Sequence, residues 1–254
     1  MSKFATAERV SRDASDNYVF QRSLLAYHAA AERIHGDVLE IGTGTGYGIE
    51  IVAPHAECFL TLDKCEPKGD LPELPNVEVR QALVPPIDLP SNCFDFVISF
   101  QVIEHIKKDV ELVREVYRIL KPGGQFIVST PNAQMSLTRN PWHIREYNPD
   151  QFQNLLSHVF PSVETLGVFG NDRVMEYYEK NRKSVERIAQ FDIFNLEQHL
   201  PRWMLRLPYD LLNRLNRRKL LRDNTELTSS ISMDDYRIAP VADNCFDLFY
   251  IAGK

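Results

Sequence analysis

Residues Val38 to Gly48 read Val-Leu-Glu-Ile-Gly-Thr-Gly-Thr-Gly-Tyr-Gly. A short apolar segment, typical of a buried strand, runs directly into a turn with glycine at every second position. Glycine removes the Cβ atoms that would keep a ligand away from the main chain, and it permits the positive φ angles of a strand-to-helix turn. The stretch therefore predicts a strand followed by a turn whose backbone contacts a ligand.

The glycine spacing narrows the choice of ligand. A dinucleotide fingerprint G-x-G-x-x-G that starts at Gly42 needs glycine where Tyr47 stands, and one that starts two residues later fails in the same way. A nicotinamide oxidoreductase is therefore a weak alternative. An acidic residue roughly 20 positions past the first glycine is expected to bind ribose hydroxyls. Asp63, which closes the apolar run 58–63, has this position.

Composition places the chain among ordinary globular proteins. It has 254 residues, 44% hydrophobic and 25% charged, which favours one domain with a single core. The formal net charge of −6 gives no electrostatic reason to expect a nucleic-acid partner. No apolar stretch reaches the ~20 residues that span a bilayer, and the polar start lacks a secretory segment, so a cytoplasmic protein is expected. The four cysteines are scattered and indicate neither a zinc site nor a disulfide framework.

Strand and helix patterns alternate along the chain. Apolar periodicity predicts helices over 16–34 and 109–120, capped by Asp16 and Asp109, and one starting at Asn148. It also predicts strands ending at Asp63 and over 76–81, 94–100, 125–130, 163–169 and 246–252. Such alternation indicates a doubly wound α/β fold with a mostly parallel, seven-stranded sheet. We expect one domain, with an N-terminal helical cap (1–36), a ligand-binding core (37–170), a helical insertion or lid (171–240) and the last strand (241–254).

Four ordered motifs together point to a family. They are the 38–46 stretch, Asp63, the segment Asn92–Ile106 and Leu-Lys-Pro-Gly-Gly at 120–124. In this order the chain, over roughly residues 16 to 170, resembles the class I methyltransferases that use S-adenosylmethionine, including those of types 11 and 12 and the ubiquinone-biosynthesis methyltransferases. The resemblance implies S-adenosylmethionine as cofactor and S-adenosylhomocysteine as product.

The resemblance also implies a set of cofactor-binding residues. Glycines 42, 44 and 46 pass under the methionine end, Glu40 supports its ammonium group, and Asp63 binds ribose. Gln101 lines the channel for methyl transfer. Leu83 stands where relatives often carry an acidic residue that binds adenine. Either main-chain groups of 82–84 and apolar walls hold the adenine, or the local alignment with the family is shifted, so the adenine contact stays unassigned. The complete set is Glu40, Gly42, Thr43, Gly44, Gly46, Asp63, Lys64, Leu83 and Gln101.

The run Asn140 to Tyr147 concentrates reactive side chains after the fifth strand. His143 is the candidate general base, because imidazole with a pKa near ~6.5 can take a hydroxyl proton at neutral pH. A histidine that only supports the loop is the competing interpretation. Glu104 and His105 likewise allow two interpretations, catalytic residues or residues paired locally at a helix entry. Methyl transfer requires no protein nucleophile, and the sequence shows no strong set of metal ligands.

These residues predict an enzyme that moves a methyl group to a small molecule, sugar (glycan) or lipid, with oxygen as the preferred acceptor atom because of His143. The alternative is a non-catalytic S-adenosylmethionine-binding or adaptor protein on the same scaffold. Residues 200–222 contain seven basic residues and one acidic residue in an amphipathic pattern. Such a stretch can form a peripheral contact with an anionic membrane, or it can be a lid or dimer helix with a solvated basic face. The sequence leaves the oligomeric state open.

Overall fold

A single sheet of eight strands organises the computed structural model, which describes residues 12–65, 71–190 and 199–254. The strands are β1 (Asp37–Ile41), β2 (Cys58–Asp63), β3 (Val77–Gln81), β4 (Phe94–Phe100), β5 (Leu120–Pro131), β6 (Ser162–Gly170), β7 (Tyr236–Pro240) and β8 (Asp247–Gly253). Their order across the sheet is β3-β2-β1-β4-β5-β8-β6-β7.

Strand direction and order define the ligand edge of the sheet. Strands β3, β2, β1, β4 and β5 are parallel, whereas β8 runs antiparallel to both β5 and β6, and β7 antiparallel to β6. The strand order reverses between β1 and β4. In doubly wound sheets ligands bind beyond the carboxyl ends of the strands at such a reversal. The predicted doubly wound α/β fold is confirmed, and the end of β1 lies at this switch point.

Helices cover both faces of the sheet. They are α1 (Asn17–Ala31), α2 (Ile49–Val52), α3 (Asp109–Ile119), α4 (Pro149–Ser157), α5 (Asp172–Ala189), α6 (Arg202–Asp223) and α7 (Thr225–Ser230). Helices α5 to α7 form the helical insertion that was expected before the last strand. Helix α4 begins with a capping box between Asn148 and Gln151, as the Asn-Pro-Asp-Gln motif predicts. In the part of the chain that the structure describes, each helix is too short or too polar to cross a bilayer.

The central strand β4 is buried on both faces. Phe94, Phe96 and Phe100 are each at most 9% exposed, and Val97 and Ile98 are fully buried. A parallel strand with helices on both sides has no solvent face, which explains why its sequence is apolar at consecutive positions.

The expected number of seven strands is wrong. The additional strand, β7, lies in the 171–240 segment, for which the sequence indicates helices. Strand β7 pairs only with β6 and forms the edge of the sheet, where Pro240 is tolerated because one side of an edge strand needs no ladder hydrogen bonds. Because β7 has only five residues and ends in a proline, the hydrophobic periodicity of the sequence does not reveal it.

Two aspartates at helix starts form ion pairs instead of caps. Asp109 was expected to cap α3, but Lys108 is the N-cap residue and has no side-chain capping bond. The Asp109 carboxylate instead pairs with Arg145 and accepts a hydrogen bond from Tyr147 Oη at 2.7 Å. Asp16, at the N-cap of α1, pairs with Arg217 of α6 at 2.7 Å. Both carboxylates therefore hold distant segments together.

Phe152 of α4 offers a test of the core. Its side chain is fully buried, with ring centroids 5.2 Å from Tyr147 and 5.0 Å from Tyr250. We expect Phe152→Ala to lower the free energy of unfolding by about 3–5 kcal/mol, because it removes buried apolar contacts and leaves a cavity. Val110→Ala, at an exposed position of α3, should change it by less than about 0.5 kcal/mol. Urea denaturation measures both, and equal effects would contradict the described packing.

Candidate active site

The turn after β1 has the backbone conformation that its glycines predict. Gly42, Gly44 and Gly46 have φ angles of 101°, 58° and 83°. A Cβ atom at Gly42 would lie 2.3 Å from Val102 Cγ2, and one at Gly46 would lie 2.3 Å from Leu71 Cδ2. At Gly44 the same atom would have no neighbour within 4 Å. The first and third glycines thus allow close packing, and the middle one leaves open space against the main chain.

A buried carboxylate fixes this turn to its surroundings. Glu40, at the end of β1, is 2% exposed and accepts hydrogen bonds from Tyr27 Oη at 2.8 Å and from Thr61 Oγ1 at 2.6 Å. Thr61 Oγ1 also lies 2.6 Å from Thr43 Oγ1. Since the Thr61 proton goes to Glu40, Thr43 is the donor in the second bond. Helix α1, strand β2 and the glycine turn are joined through one side chain.

Burial dominates the protonation behaviour of Glu40. It raises the pKa of the carboxyl to about 7, although the hydrogen bonds from Thr61 and Tyr27 act in the opposite direction. The nearby charge of Asp63 raises this pKa further. The expected contact of Glu40 with the cofactor ammonium group stays a prediction, since the carboxylate faces Tyr27 and Thr61 in the structure.

Asp63 bridges the end of β2 and the glycine turn. Its Oδ2 accepts the Gly44 N–H at 3.0 Å, and its Oδ1 accepts the Cys65 N–H at 2.8 Å. The structure thus brings together the glycine turn and the carboxylate that the sequence places about 20 residues apart.

Lys64 and Leu83 flank Asp63 at the same edge. The main-chain oxygen of Asp63 accepts the Ala82 N–H at 2.8 Å, and that of Lys64 accepts Gln81 Nε2 at 3.0 Å. The side chain of Leu83 is 77% exposed. Leu83 follows Ala82 in the chain and has its side chain in solvent, so its expected place at the adenine site stays a prediction.

Gln101 lies where β4 ends and has a positive φ of 57°. Its N–H donates to the Ser129 oxygen at 2.9 Å, and its Nε2 donates to Ser129 Oγ at 3.3 Å. Asp247 is buried next to it and pairs with Arg22 at 2.8 Å. Burial raises the pKa of Asp247, while Arg22 and the Gln101 side chain oppose this shift. Gln101 thus connects the sheet edge with Arg22, which lines a neighbouring cleft.

This cleft, of about 200 Å³ and open to solvent, lies between α1, the 131–146 segment, α5 and α6. Its walls are rich in tyrosines and asparagines, which supply both ring faces and hydrogen-bonding groups. These are Tyr18, Tyr177, Tyr178, Tyr209, Asn132, Asn140, Asn181, Asn213 and Asn216. His143 and Glu146 also line it.

His143 is held between two polar side chains. Its Nδ1 lies 2.7 Å from Glu146 Oε1, and its Nε2 lies 2.8 Å from Asn140 Nδ2. Asn140 Oδ1 accepts the Trp142 N–H at 3.0 Å, which turns the amide nitrogen toward the ring. In neutral His143 the Nδ1–H therefore donates to Glu146, and Nε2 carries the lone pair. This tautomer is the one a general base needs.

Glu104 and His105 contact the loop that carries His143 (140–147), which is called the His143 loop. Their partners are therefore distant in sequence as well as local. The Glu104 oxygen accepts the Ile144 N–H at 2.7 Å, and His105 Nδ1 lies 3.0 Å from the Trp142 oxygen. The His105 ring centroid lies 5.0 Å from that of His143. Glu104, His105 and His143 each offer a metal-ligand atom within 4.8 Å of the others, but both His143 nitrogens already form hydrogen bonds.

Contacts from α6 to the His143 loop could not be read from the sequence. Trp142 Nε1 donates to Asp210 Oδ1 at 2.9 Å, and the Arg206 guanidinium lies 4.4 Å from the centroid of the Trp142 ring. Arg202 donates to the Ile144 oxygen at 2.8 Å. These pairs are about 60 residues apart, and the only local signal is the unusual tryptophan in the loop.

The methyltransferase domain model matches residues 14–220 of this sequence. The chain belongs to this family. A protein of Mycolicibacterium smegmatis named as a probable S-adenosylmethionine-dependent methyltransferase is 32% identical over 95% of this chain and 91% of its own length. A protein of the same description from Mycobacterium tuberculosis is 36% identical over 71% of this chain and 69% of its own length.

Among solved structures, an S-adenosylmethionine-dependent methyltransferase from Thermotoga maritima superposes with a TM-score of 0.59 at 14% identity, covering 94% of this chain and 91% of that one. This likeness supports the fold. The family and its relatives make the protein a methyltransferase enzyme with S-adenosylmethionine as cofactor, so the expected cofactor is confirmed and the non-catalytic adaptor is disfavoured.

The pKa of Glu40 predicts a pH-dependent stability difference. Between its ordinary value of 4.5 and about 7, the unfolded carboxyl loses its proton while the folded one keeps it. This destabilises the folded state of the wild type by about 3 kcal/mol as pH rises through that window. Glu40→Gln removes the titrating group. We expect the difference in unfolding free energy between Glu40→Gln and the wild type to shift in favour of the variant by this amount, measured by urea denaturation at several pH values. A difference independent of pH would contradict the assignment.

Proposed function

We propose that this methyltransferase transfers the methyl group to a hydroxyl oxygen of a small-molecule, glycan or lipid acceptor bound in the cleft, with His143 as general base. The observation that carries this proposal is the arrangement of Glu146, His143 and Asn140 in the cleft wall, because it directs Nδ1 to a carboxylate and Nε2 to an amide group that an acceptor hydroxyl can replace.

The cofactor residues are assigned at the ends of β1, β2 and β4. Gly44 leaves room for a ligand against the main chain of the turn, and Asp63 offers carboxylate oxygens to the ribose hydroxyls. Gln101 lies between this edge and the cleft. S-adenosylmethionine, when bound, supplies an electrophilic methyl group on its sulfonium. Lys64 and Leu83 contribute main-chain groups beside Asp63, and Glu40 and Thr43 support the turn from behind.

The two ring nitrogens of His143 have different roles: one takes the proton, and the hydrogen bond at the other holds the ring in place. His143 Nε2 accepts the acceptor hydroxyl proton, for which the Asn140 amide must give way. The Glu146 carboxylate then stabilises the imidazolium through its short bond to Nδ1. With its side chain only 10% exposed, His143 is shielded from bulk water. The protein therefore orients the acceptor and removes one proton.

The cleft lining supports an acceptor that carries hydroxyl groups. Asparagine amides can donate to and accept from hydroxyls, and tyrosine rings give apolar faces next to polar edges. Tyr18 Oη is buried in this region without a hydrogen-bond partner among the described residues. Buried polar atoms usually have a partner. Such a wall fits a polyhydroxylated or amphiphilic acceptor better than a purely apolar one.

Replacement of His143 tests the base. His143→Gln keeps a polar side chain but cannot take a proton, so we expect kcat to fall by about 10²–10⁴-fold while the Kd of S-adenosylmethionine stays within about twofold. Formation of S-adenosylhomocysteine with a panel of hydroxyl acceptors measures kcat, and calorimetry measures Kd. The control is His158→Gln, an exposed histidine after α4, which should leave both values unchanged.

Equal losses of kcat and cofactor affinity in His143→Gln would show a structural histidine. A chelator separates base from metal catalysis: with EDTA the wild-type rate should be unchanged, whereas loss of activity that Mg²⁺ or Mn²⁺ restores would contradict the proposed base.

Asp63 tests the cofactor assignment. Asp63→Asn replaces two carboxylate oxygens with one amide oxygen, so we expect the Kd of S-adenosylmethionine to rise about tenfold or more, measured by calorimetry. Asp88→Asn, at an exposed loop position, is the matched control. Unchanged affinity in well-folded Asp63→Asn would remove this residue from the cofactor site.

A further inference from the structure

The outer face of α6 is the most apolar exposed surface among the described residues. Ten large hydrophobic side chains are exposed in that part of the chain, and six of them belong to α6: Trp203, Met204, Leu207, Leu211, Leu212 and Leu215. Trp203 is 71% exposed and Leu207 is 81% exposed. A spacing of four residues places Trp203, Leu207, Leu211 and Leu215 in one stripe about 18 Å long.

Basic side chains continue this face toward the end of the helix. Arg218, Lys219 and Arg222 are exposed and follow the apolar stripe on the same side. In a chain with a net charge of −6, α6 carries seven basic residues and two acidic ones. The acidic residues are both engaged, Asp210 with Trp142 and Asp223 with Arg222. The exposed face of α6 is therefore cationic as well as apolar.

The packing of α6 against the protein does not use this face. Its opposite side contributes Tyr209, Asn213 and Asn216 to the cleft, and Leu220 is buried. Asn216 Oδ1 accepts the Ser184 hydroxyl of α5 at 2.6 Å. The inner side anchors the helix, so the apolar stripe is not a remnant of the core.

We propose that this outer face docks the enzyme on an anionic phospholipid bilayer. The apolar stripe would enter the boundary between headgroups and acyl chains, and Arg218, Lys219 and Arg222 would contact the phosphates. A second copy of the chain fits less well, because a symmetric interface consists of the same face on both partners. Both acidic residues of α6 are already engaged, so the helix itself offers the three cations of a second copy no further carboxylate.

Docking through α6 has a structural consequence for the cleft. The same helix lines the cleft with its inner side and contacts the His143 loop through Trp142. A bilayer against the outer side lies one helix diameter, about 10 Å, from the cleft. Docking through the outer face of α6 would therefore place the cleft next to amphiphilic molecules of the membrane. This consequence does not depend on which acceptor atom is methylated.

Vesicle co-sedimentation of the full chain tests the proposal. We expect binding to vesicles of phosphatidylcholine with about one third phosphatidylglycerol, and at least tenfold weaker binding to pure phosphatidylcholine or at ~0.5 M salt, which screens surface charges. Leu207→Glu/Leu211→Glu should weaken binding at least tenfold, and so should Arg218→Glu/Lys219→Glu. Val110→Glu, an exposed apolar position on α3, is the control and should bind like the wild type.

Circular dichroism and S-adenosylmethionine affinity report whether each variant is folded. Failure of the wild type to bind anionic vesicles would overturn the proposal, and so would wild-type binding by a folded Leu207→Glu/Leu211→Glu variant. Light scattering tests the alternative that this face forms a dimer. If the wild type is a dimer that does not bind vesicles, and Leu207→Glu/Leu211→Glu converts it to a monomer, the face serves self-association and the membrane proposal is contradicted.

Discussion

The hydrogen bonds of the buried Glu40 carboxylate support the organisation of the sheet edge. A carboxylate taken out of water is costly, and the hydroxyls of Tyr27 and Thr61 offset part of this cost, although burial still raises its pKa. Each hydroxyl belongs to a different element, so α1 and β2 are fixed relative to the end of β1. Thr43 extends the same network into the glycine turn. The turn that leaves open space at Gly44 is thus tied to β1, β2 and α1.

The cleft depends on a second set of long-range polar contacts. Arg22 pairs with the buried Asp247 and joins α1 to β8, and Trp142 joins the His143 loop to α6. Helix α6 lies between the cleft and the solvent and contacts the loop that carries His143 through Asp210 and Arg202. The cleft and the exposed apolar stripe therefore lie on two sides of one helix.

Local chemistry explains why part of this structure was predictable. The glycine turn, Asp63 and the doubly apolar strand β4 each have a requirement that is visible within a few residues: positive φ, a carboxylate at a strand end, burial on both faces. The capping box at Asn148 is equally local. In contrast, Asp16 and Asp109 look like helix caps in sequence, and only tertiary partners more than 30 residues away determine that they form ion pairs. Strand β7 forms because it pairs with β6, and the pattern of its own five residues does not predict that pairing.

The central claim is that the adenosyl cofactor lies against the main chain of the glycine turn, with its ribose at Asp63. A crystal structure of the protein with S-adenosylhomocysteine tests it most directly. The account predicts ribose hydroxyls within hydrogen-bond distance, about 2.5–3.0 Å, of the Asp63 carboxylate, and the ligand passing over the face of Gly44. A ligand bound elsewhere, with the glycine turn and Asp63 unchanged and untouched, would contradict it.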